Sequence, residues 1–171
     1  MGENDTGYTL GDEHGFALSD KILAAIGLTV VCHAYLEHNI ASAIIRLAGM
    51  PSHRGLMMTS GMSFRALRSA LDGLVLEHDQ HIGTEAEKYK AIMARISAFE
   101  NFRNQVAHSL WATSREDVTK ALRVKMGTSK AGFRAVHTDI DASAISNSIK
   151  DVNAALSDLM KFVEGLIATR E

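Results

Sequence analysis

Residues 141–166 read DASAISNSIKDVNAALSDLMKFVEGL and carry an apolar pattern that never breaks. The apolar residues recur every three or four positions, as they do along one side of an α-helix: Ile145, Ile149, Val152, Leu156, Leu159, Val163 and Leu166. Asp141 directly precedes the pattern and is a preferred N-cap residue. Because a helix with such a continuous apolar seam must pack along other helices, this stretch predicts a helical bundle.

A first long helix is predicted from about Asp20 to Leu47, with Ser19 as its N-cap. Its seam consists of apolar residues at helical spacing, namely Ile22, Ile26, Val30, Ile40, Ile44 and Leu47. Three more apolar residues widen this stripe and predict contact with more than one neighbour: Leu23, Leu28 and Val31. Gly49 and Pro51 are expected to end the helix.

Residues 52–61 are interpreted as a loop or short turn, in which Met57, Met58 and Met62 would fill gaps in the core or an interface. A second helix follows, from Phe64 to about His81.

A third helix is predicted to begin at Glu85, because Thr84 and Glu87 form a capping box. Its apolar seam is broken once, at Arg103, and otherwise contains Tyr89, Ile92, Ile96, Phe99, Val106 and Leu110. Residues 112–139 lack a long apolar period and predict a small β-hairpin or an ordered loop before the last helix.

These elements predict an all-α fold: an antiparallel bundle of four main helices with a small irregular or β-hairpin insertion before the last one. A single proline and 6% aromatic residues disfavour a β-sandwich. Residues 18–171 are expected to form one domain, and residues 1–17, which are polar and acidic, a flexible tail.

Composition also indicates where the protein works. No secretory signal precedes the first helix, and the apolar run 22–31 is too short to cross a membrane. The single cysteine, Cys32, cannot form an internal disulfide. We therefore expect a soluble cytoplasmic protein without membrane contact.

A net charge of −2 excludes a globally basic nucleic-acid binder, so any contact with RNA must be local.

Arg103 occupies a position where the third helix calls for an apolar residue. A buried guanidinium is costly unless it is paired, so either a carboxylate such as Glu100 meets it or the helix end opens onto a cleft or a second subunit. Asn101, Asn104 and His108 share one stripe of the same helix. An arginine fork that holds phosphate, beside a histidine that moves protons, suits cleavage of a phosphodiester without a metal or other cofactor.

The stretch 102–111, FRNQVAHSLW, resembles the signature of the HEPN superfamily: an arginine, a polar residue and a histidine four to six places beyond the arginine. Arg103, Asn104 and His108 match it, and the order of helices agrees from about Asp20 to Ala168. The resemblance implies a metal-independent endoribonuclease, often a toxin or defence effector with a cognate antitoxin, in which two motifs face each other across a homodimer cleft. In that reading Arg103, His108 and Asn104 are catalytic, and Glu100 and Asn101 support them.

Three other interpretations remain open. Arg103 and Glu100 could form a structural ion pair while His108 interacts with the helix dipole. A HEPN-like domain could bind a nucleotide or a partner protein without catalysis. A metal-binding bundle would use acidic and histidine side chains of the first two helices, namely His33, Glu37, His38, Glu77, His78, Asp79 and His81. The Glu-x-x-His pairs that are typical of di-iron bundles are absent from the sequence.

The irregular stretch before the last helix is locally basic. Its cations are candidates for contacts to RNA phosphates: Arg115, Lys120, Arg123, Lys125, Lys130 and Arg134. A solvated hairpin without RNA contacts would show the same composition.

Overall fold

A computed structural model describes residues 18–79, 85–113, 121–129 and 132–169. Its elements are, in chain order, α1 Asp20–Leu47, α2 Ser52–Thr59, α3 Phe64–Asp79, α4 Glu85–Ala107, β1 Leu110–Thr113, β2 Ala121–Ser129, β3 Gly132–Ile140 and α5 Ala142–Ala168. The predicted all-helical bundle with a small insertion before the last helix is confirmed. The expected tail at 1–17 and the cap at Thr84 lie outside the described residues.

The ends of α1 and α5 follow from local hydrogen bonding. Gly49 adopts φ 62°, and the amides of Gly49 and Met50 donate to the carbonyls of Arg46 and Ile45 at 3.1 Å. This is a Schellman ending, which favours glycine because an added Cβ strains a left-handed backbone. At α5 the amide of Ala144 donates to Asp141 Oδ1 at 2.6 Å, so Asp141 is the predicted N-cap.

The short helix α2 corrects the prediction of a loop at 52–61. Pro51 starts it with φ −56°, and its carbonyl accepts hydrogen bonds from the amides of Arg54 and Gly55 at 3.0 Å. Gly55 packs so closely on the side chain of Ile45 that a Cβ would have no room. Met57 and Met58 are exposed, so they do not fill the core.

The chain forms two compact units, and α1, α4 and α5 each contribute residues to both. The first unit contains the described residues of 1–31 and 101–149, and the second contains those of 32–100 and 150–171.

In the second unit α4 runs antiparallel to both α3 and α5. Toward α3, Arg68 donates to Ser97 at 2.6 Å and Tyr89 donates to Asp72 at 2.6 Å. Toward α5, Arg95 forms ion pairs with Asp151 and Asp158. The rings of Tyr89 and Phe162 stack with their centroids 5.5 Å apart. The buried apolar side chains of this unit include Leu36, Ile40, Leu71, Ile96, Leu159 and Val163.

In the first unit, the three strands form an antiparallel sheet in the order β1-β2-β3. Trp111 lies opposite Arg123, and Arg123 lies opposite Thr138 in the register. The buried residues of this unit include Ile22, Val106, Ala121 and Ile145. The predicted hairpin is thus present as β2 and β3, and β1 extends it to three strands.

Two residues assigned to helical seams are placed differently. Leu110 lies in β1 and is 46% exposed, because α4 ends at Ala107. The chain leaves the helix there because the side chains of Ser109 and Trp111 donate to the carbonyls of Gln105 and Val106, at 2.6 and 3.0 Å. In α1, Val30 is 53% exposed, and Thr29 is buried instead, with its hydroxyl donating to the carbonyl of Ala25.

Across the described part of the chain, none of the helices has the length and apolar character needed to cross a membrane.

Candidate functional site

The last turn of α4 and the residue after it carry the predicted motif. Arg103 and Asn104 are half-buried on the helix, and His108 follows the helix directly, exposed to solvent. The backbone amide of His108 donates to the carbonyl of Asn104 at 3.1 Å, so helical hydrogen bonding continues through the histidine. Asn101, one turn earlier, is exposed. The structure therefore presents an imidazole to solvent at the end of a helix that also carries a guanidinium.

Arg103 lies on the apolar seam of α4, as the sequence predicted. The seam residues on either side of it, Phe99 and Val106, are each 2% exposed, whereas Arg103 is half-buried. The seam thus changes at Arg103 from fully buried apolar side chains to a half-buried charged one.

The strand β2 brings a second arginine to this helix end. The guanidinium of Arg123 donates through one terminal nitrogen to Gln105 Oε1 and through the other to Thr138 Oγ1 at 3.4 Å. Gln105 lies within the motif, between Asn104 and Val106. The Arg123 side chain is therefore held against the same turn of α4 that carries the candidate catalytic residues.

Lys125 extends the positive charge along the sheet. Arg123 and Lys125 are two positions apart in β2, so they share one face of the sheet, and Lys125 is exposed. Arg134 lies in β3 opposite Gly127. The remaining basic candidates lie outside the described residues: Arg115, Lys120 and Lys130. Arg123 is thus a predicted RNA contact that the structure places at the motif.

Glu100, a predicted supporting residue, is bound by a histidine of α1. Its Oε2 atom lies 2.5 Å from His33 Nε2, and His33 Nδ1 lies 3.7 Å from Glu37 Oε2. His33 is only 7% exposed, so its ring is enclosed between two carboxylates and near Phe64. Sequence reasoning missed this pairing. The available signal was that His33 continues a helical spacing of buried positions through Leu36 and Ile40, so it is a polar residue on a seam, as Arg103 is.

The alternative metal site gains no support from these contacts. Among the residues that the structure describes, no three or more histidine, cysteine or acidic side chains come together in a way that could hold a metal ion. His78 is buried in α3, while Glu77 is exposed and His81 lies outside the described ranges.

Comparison of the chain with protein-family models, with curated proteins and with solved structures finds no match. The function proposed below therefore rests on the residues at the end of α4 and on their chemistry.

Proposed function

We propose that this protein is a metal-independent endoribonuclease of the HEPN type that acts through Arg103 and His108. One observation carries the proposal: the last turn of α4 combines a half-buried arginine with an exposed histidine, and β2 adds the guanidinium of Arg123 to the same turn. Two guanidinium groups and one imidazole at a single helix end form a local anion site in a chain of net charge −2. We assign it a cytoplasmic role as a toxin or defence effector with a cognate antitoxin.

The proposed reaction is attack of a ribose 2′-oxygen on the adjacent phosphorus. His108 accepts the proton of the 2′-hydroxyl as the new P–O bond forms, because histidine side chains exchange protons near neutral pH. The bond from phosphorus to the 5′-oxygen breaks, and this oxygen takes a proton from a second acid. In a symmetric dimer that acid is the partner's His108. The products are a 2′,3′-cyclic phosphate and a 5′-hydroxyl.

Arg103 stabilises the charge that grows on the non-bridging phosphate oxygens. Its planar fork can donate two parallel hydrogen bonds, and a preorganised donor of this kind acts mainly on the transition state. Asn104 orients the phosphate beside it, and Asn101 lies on the same stripe of α4. Glu100, fixed by His33, belongs to the preceding turn of the helix.

The reaction is tested by comparing RNA with DNA of the same sequence in the presence of EDTA. RNA is expected to be cut to products with cyclic phosphate ends, and DNA is expected to stay intact because it lacks the 2′-hydroxyl. Cleavage of the RNA and the DNA at similar rates would contradict this mechanism. If the pure protein binds RNA but never cuts it, the noncatalytic HEPN-like binding module replaces the enzyme.

A second copy of the chain is the proposed partner of the first unit. Several apolar side chains of this unit are exposed on α1, namely Leu23, Leu28, Val30 and Val31. The small residues Ala24 and Gly27 lie between them in the sequence and are exposed as well. Leu110, two residues after His108, is exposed as well. Several exposed apolar side chains on one helix favour an interaction site, and the proposed reaction at the motif in the same unit requires a facing copy for its second acid.

The protein is therefore expected to be a dimer at micromolar concentration, and Val31→Glu is expected to make it a monomer. Val31 is 65% exposed, so a glutamate there is tolerated by the fold but places a charge in the apolar interface. Light scattering with size-exclusion chromatography gives the mass. The matched control is Ser69→Glu, at an exposed position of α3, which should remain dimeric. A monomeric wild-type protein would argue against the shared cleft.

The basic face of β2 is expected to hold RNA phosphates. Replacing Arg123 and Lys125 together with glutamine should weaken RNA binding and lower the slope of log affinity against log salt by about 0.7 for each lost contact. Fluorescence anisotropy at several salt concentrations measures both quantities. Lys150→Gln, an exposed lysine of α5, is the control. A slope equal to that of the wild type would exclude these two cations from the RNA contact.

A further inference from the structure

Trp111 follows the motif closely, and its indole is tied to the same end of α4. Its Nε1 donates to the carbonyl of Val106 at 3.0 Å, and His108 lies between these two residues in the sequence. The side chain is half-buried, so part of it reaches solvent. Because the hydrogen bond satisfies the one polar atom of the indole, the rest of the side chain offers aromatic surface alone. The proposed reaction does not use this residue.

The register of the sheet places Trp111 at the boundary between core and solvent. Trp111, Arg123 and Thr138 lie opposite one another on the three strands, so their side chains share one face of the sheet. All three are half-buried. On the same face of β2, Ala121 before Arg123 is fully buried and Lys125 after it is exposed. Burial therefore decreases along this face, and the indole lies where the core gives way to solvent.

The same face carries positive charge beside the indole. Both hydrogen-bond partners of Arg123, which are Gln105 and Thr138, are uncharged, and Lys125 is the next residue of β2 on this face. All of these residues belong to the first unit, as the motif does. Aromatic surface next to cations is the combination that binds single-stranded nucleic acids, because the cations meet phosphates while the ring meets a base.

We propose that Trp111 stacks on an unpaired nucleobase of the RNA, so that the substrate is single-stranded at the cleavage site. The inference rests on the proposed function, because it takes the cleaved phosphate to lie at Arg103 and His108. A base on Trp111 then belongs to a nucleotide close to the cleaved bond. In a duplex the faces of the bases are covered by their neighbours, whereas an unstacked base can place its face on an aromatic ring. Since every base has such a face, Trp111 distinguishes single strands from duplexes and not one sequence from another.

The fluorescence of Trp111 tests the proposal in the wild-type protein, because it is the only tryptophan in the chain. The probe is a 2′-O-methyl oligonucleotide, which lacks the hydroxyl that the proposed reaction requires and therefore stays intact. The single strand is expected to quench the tryptophan emission in a saturable manner. Two probes are expected to bind without quenching: the blunt duplex of the same sequence, and a single strand of equal length whose nucleotides are abasic. Quenching of equal depth by either of these would overturn the proposal.

The stacking and the nuclease activity can fail separately. Cleavage of RNA by a protein whose emission no bound single strand quenches would overturn the stacking and leave the enzyme. Quenching by single strands without any cleavage of RNA would support the stacking and overturn the enzyme. A protein that binds no single strand at all would overturn both.

Variants separate stacking from a structural role of the indole. Trp111→Leu keeps an apolar side chain without an aromatic face, so it should lower the affinity for the single strand about five- to a hundredfold and leave that for the abasic strand unchanged. Trp111→Phe keeps an aromatic face and should retain most of the affinity. The matched control is Tyr35→Leu, at an aromatic residue of the second unit that is 57% exposed.

Fluorescence anisotropy of labelled probes measures these affinities, and the melting temperature reports folding of each variant. Equal losses for the normal and the abasic strand in a folded Trp111→Leu protein would make the indole a structural residue and overturn the proposal. Unchanged affinity for both strands would overturn it as well. The quenching measurement needs no variant, so it decides the matter even if Trp111→Leu does not fold.

Discussion

Replacing His108 with alanine is expected to lower the rate of RNA cleavage by about a hundred- to ten-thousandfold while the melting temperature and the dimer stay unchanged. The imidazole is the proposed proton acceptor, so its loss removes general base catalysis. Because the side chain is exposed and lies beyond the end of α4, the substitution leaves the core intact. The hydrogen bond from the amide of residue 108 to the carbonyl of Asn104 is made by the backbone, so the substitution does not remove it.

The measurement is the initial rate of cleavage of a labelled RNA in EDTA, which silences contaminating metal-dependent nucleases. His53→Ala is the matched control, because His53 is an exposed histidine of α2 outside the motif and its loss should not affect the rate. Circular dichroism and light scattering report folding and mass for both variants. Undiminished cleavage by a folded His108→Ala protein would end the catalytic assignment.

The long helices could be predicted from the sequence because their ends are set by local chemistry. Asp141 caps α5 through its own side chain, and Gly49 ends α1 through its backbone conformation. Such signals need no knowledge of the rest of the fold. The continuous seam of α5 is likewise buried along its whole length, from Ile145 to Leu166.

The parts that the sequence did not predict depend on contacts between distant residues. The helix α2 is stabilised by the fit of Gly55 against Ile45, while its exposed methionines mask any amphipathic pattern. The exposure of Val30 and the burial of Thr29 likewise depend on which face of α1 its neighbours cover. Periodicity alone could not choose between two adjacent positions of the same helix.

The candidate site shows the same division. Arg103 could be singled out because it breaks an apolar seam, and His108 because it completes the motif. The sequence included Arg123 among the candidate RNA contacts, but its contact with Gln105 could not be predicted, because that contact depends on the register of β2 against β1 and β3. Nor did the sequence indicate that His33 would bind Glu100, since they lie on different helices.

Arg103→Lys is expected to lower kcat for RNA cleavage by about a hundred- to thousandfold, with a much smaller change in KM. Lysine keeps the positive charge and a long aliphatic stem, so the seam of α4 and the binding of an anion are largely retained. It lacks the planar fork that donates two hydrogen bonds to one phosphate, and this geometry is needed most in the transition state. Arg103→Ala also removes the stem from the seam, so it should lower the melting temperature as well as the rate.

Steady-state kinetics on Arg103→Lys, with the exposed Arg65→Lys as control, separate the two roles. A fall in kcat supports transition-state stabilisation, whereas a rise in KM at constant kcat would reduce Arg103 to a binding group. The double variant Arg103→Lys, His108→Ala gives the sharper result. Groups that act together in one step are not additive, so its rate should fall little below that of the slower single variant. Multiplication of the two single losses would instead mean that Arg103 and His108 act independently and would contradict a shared site.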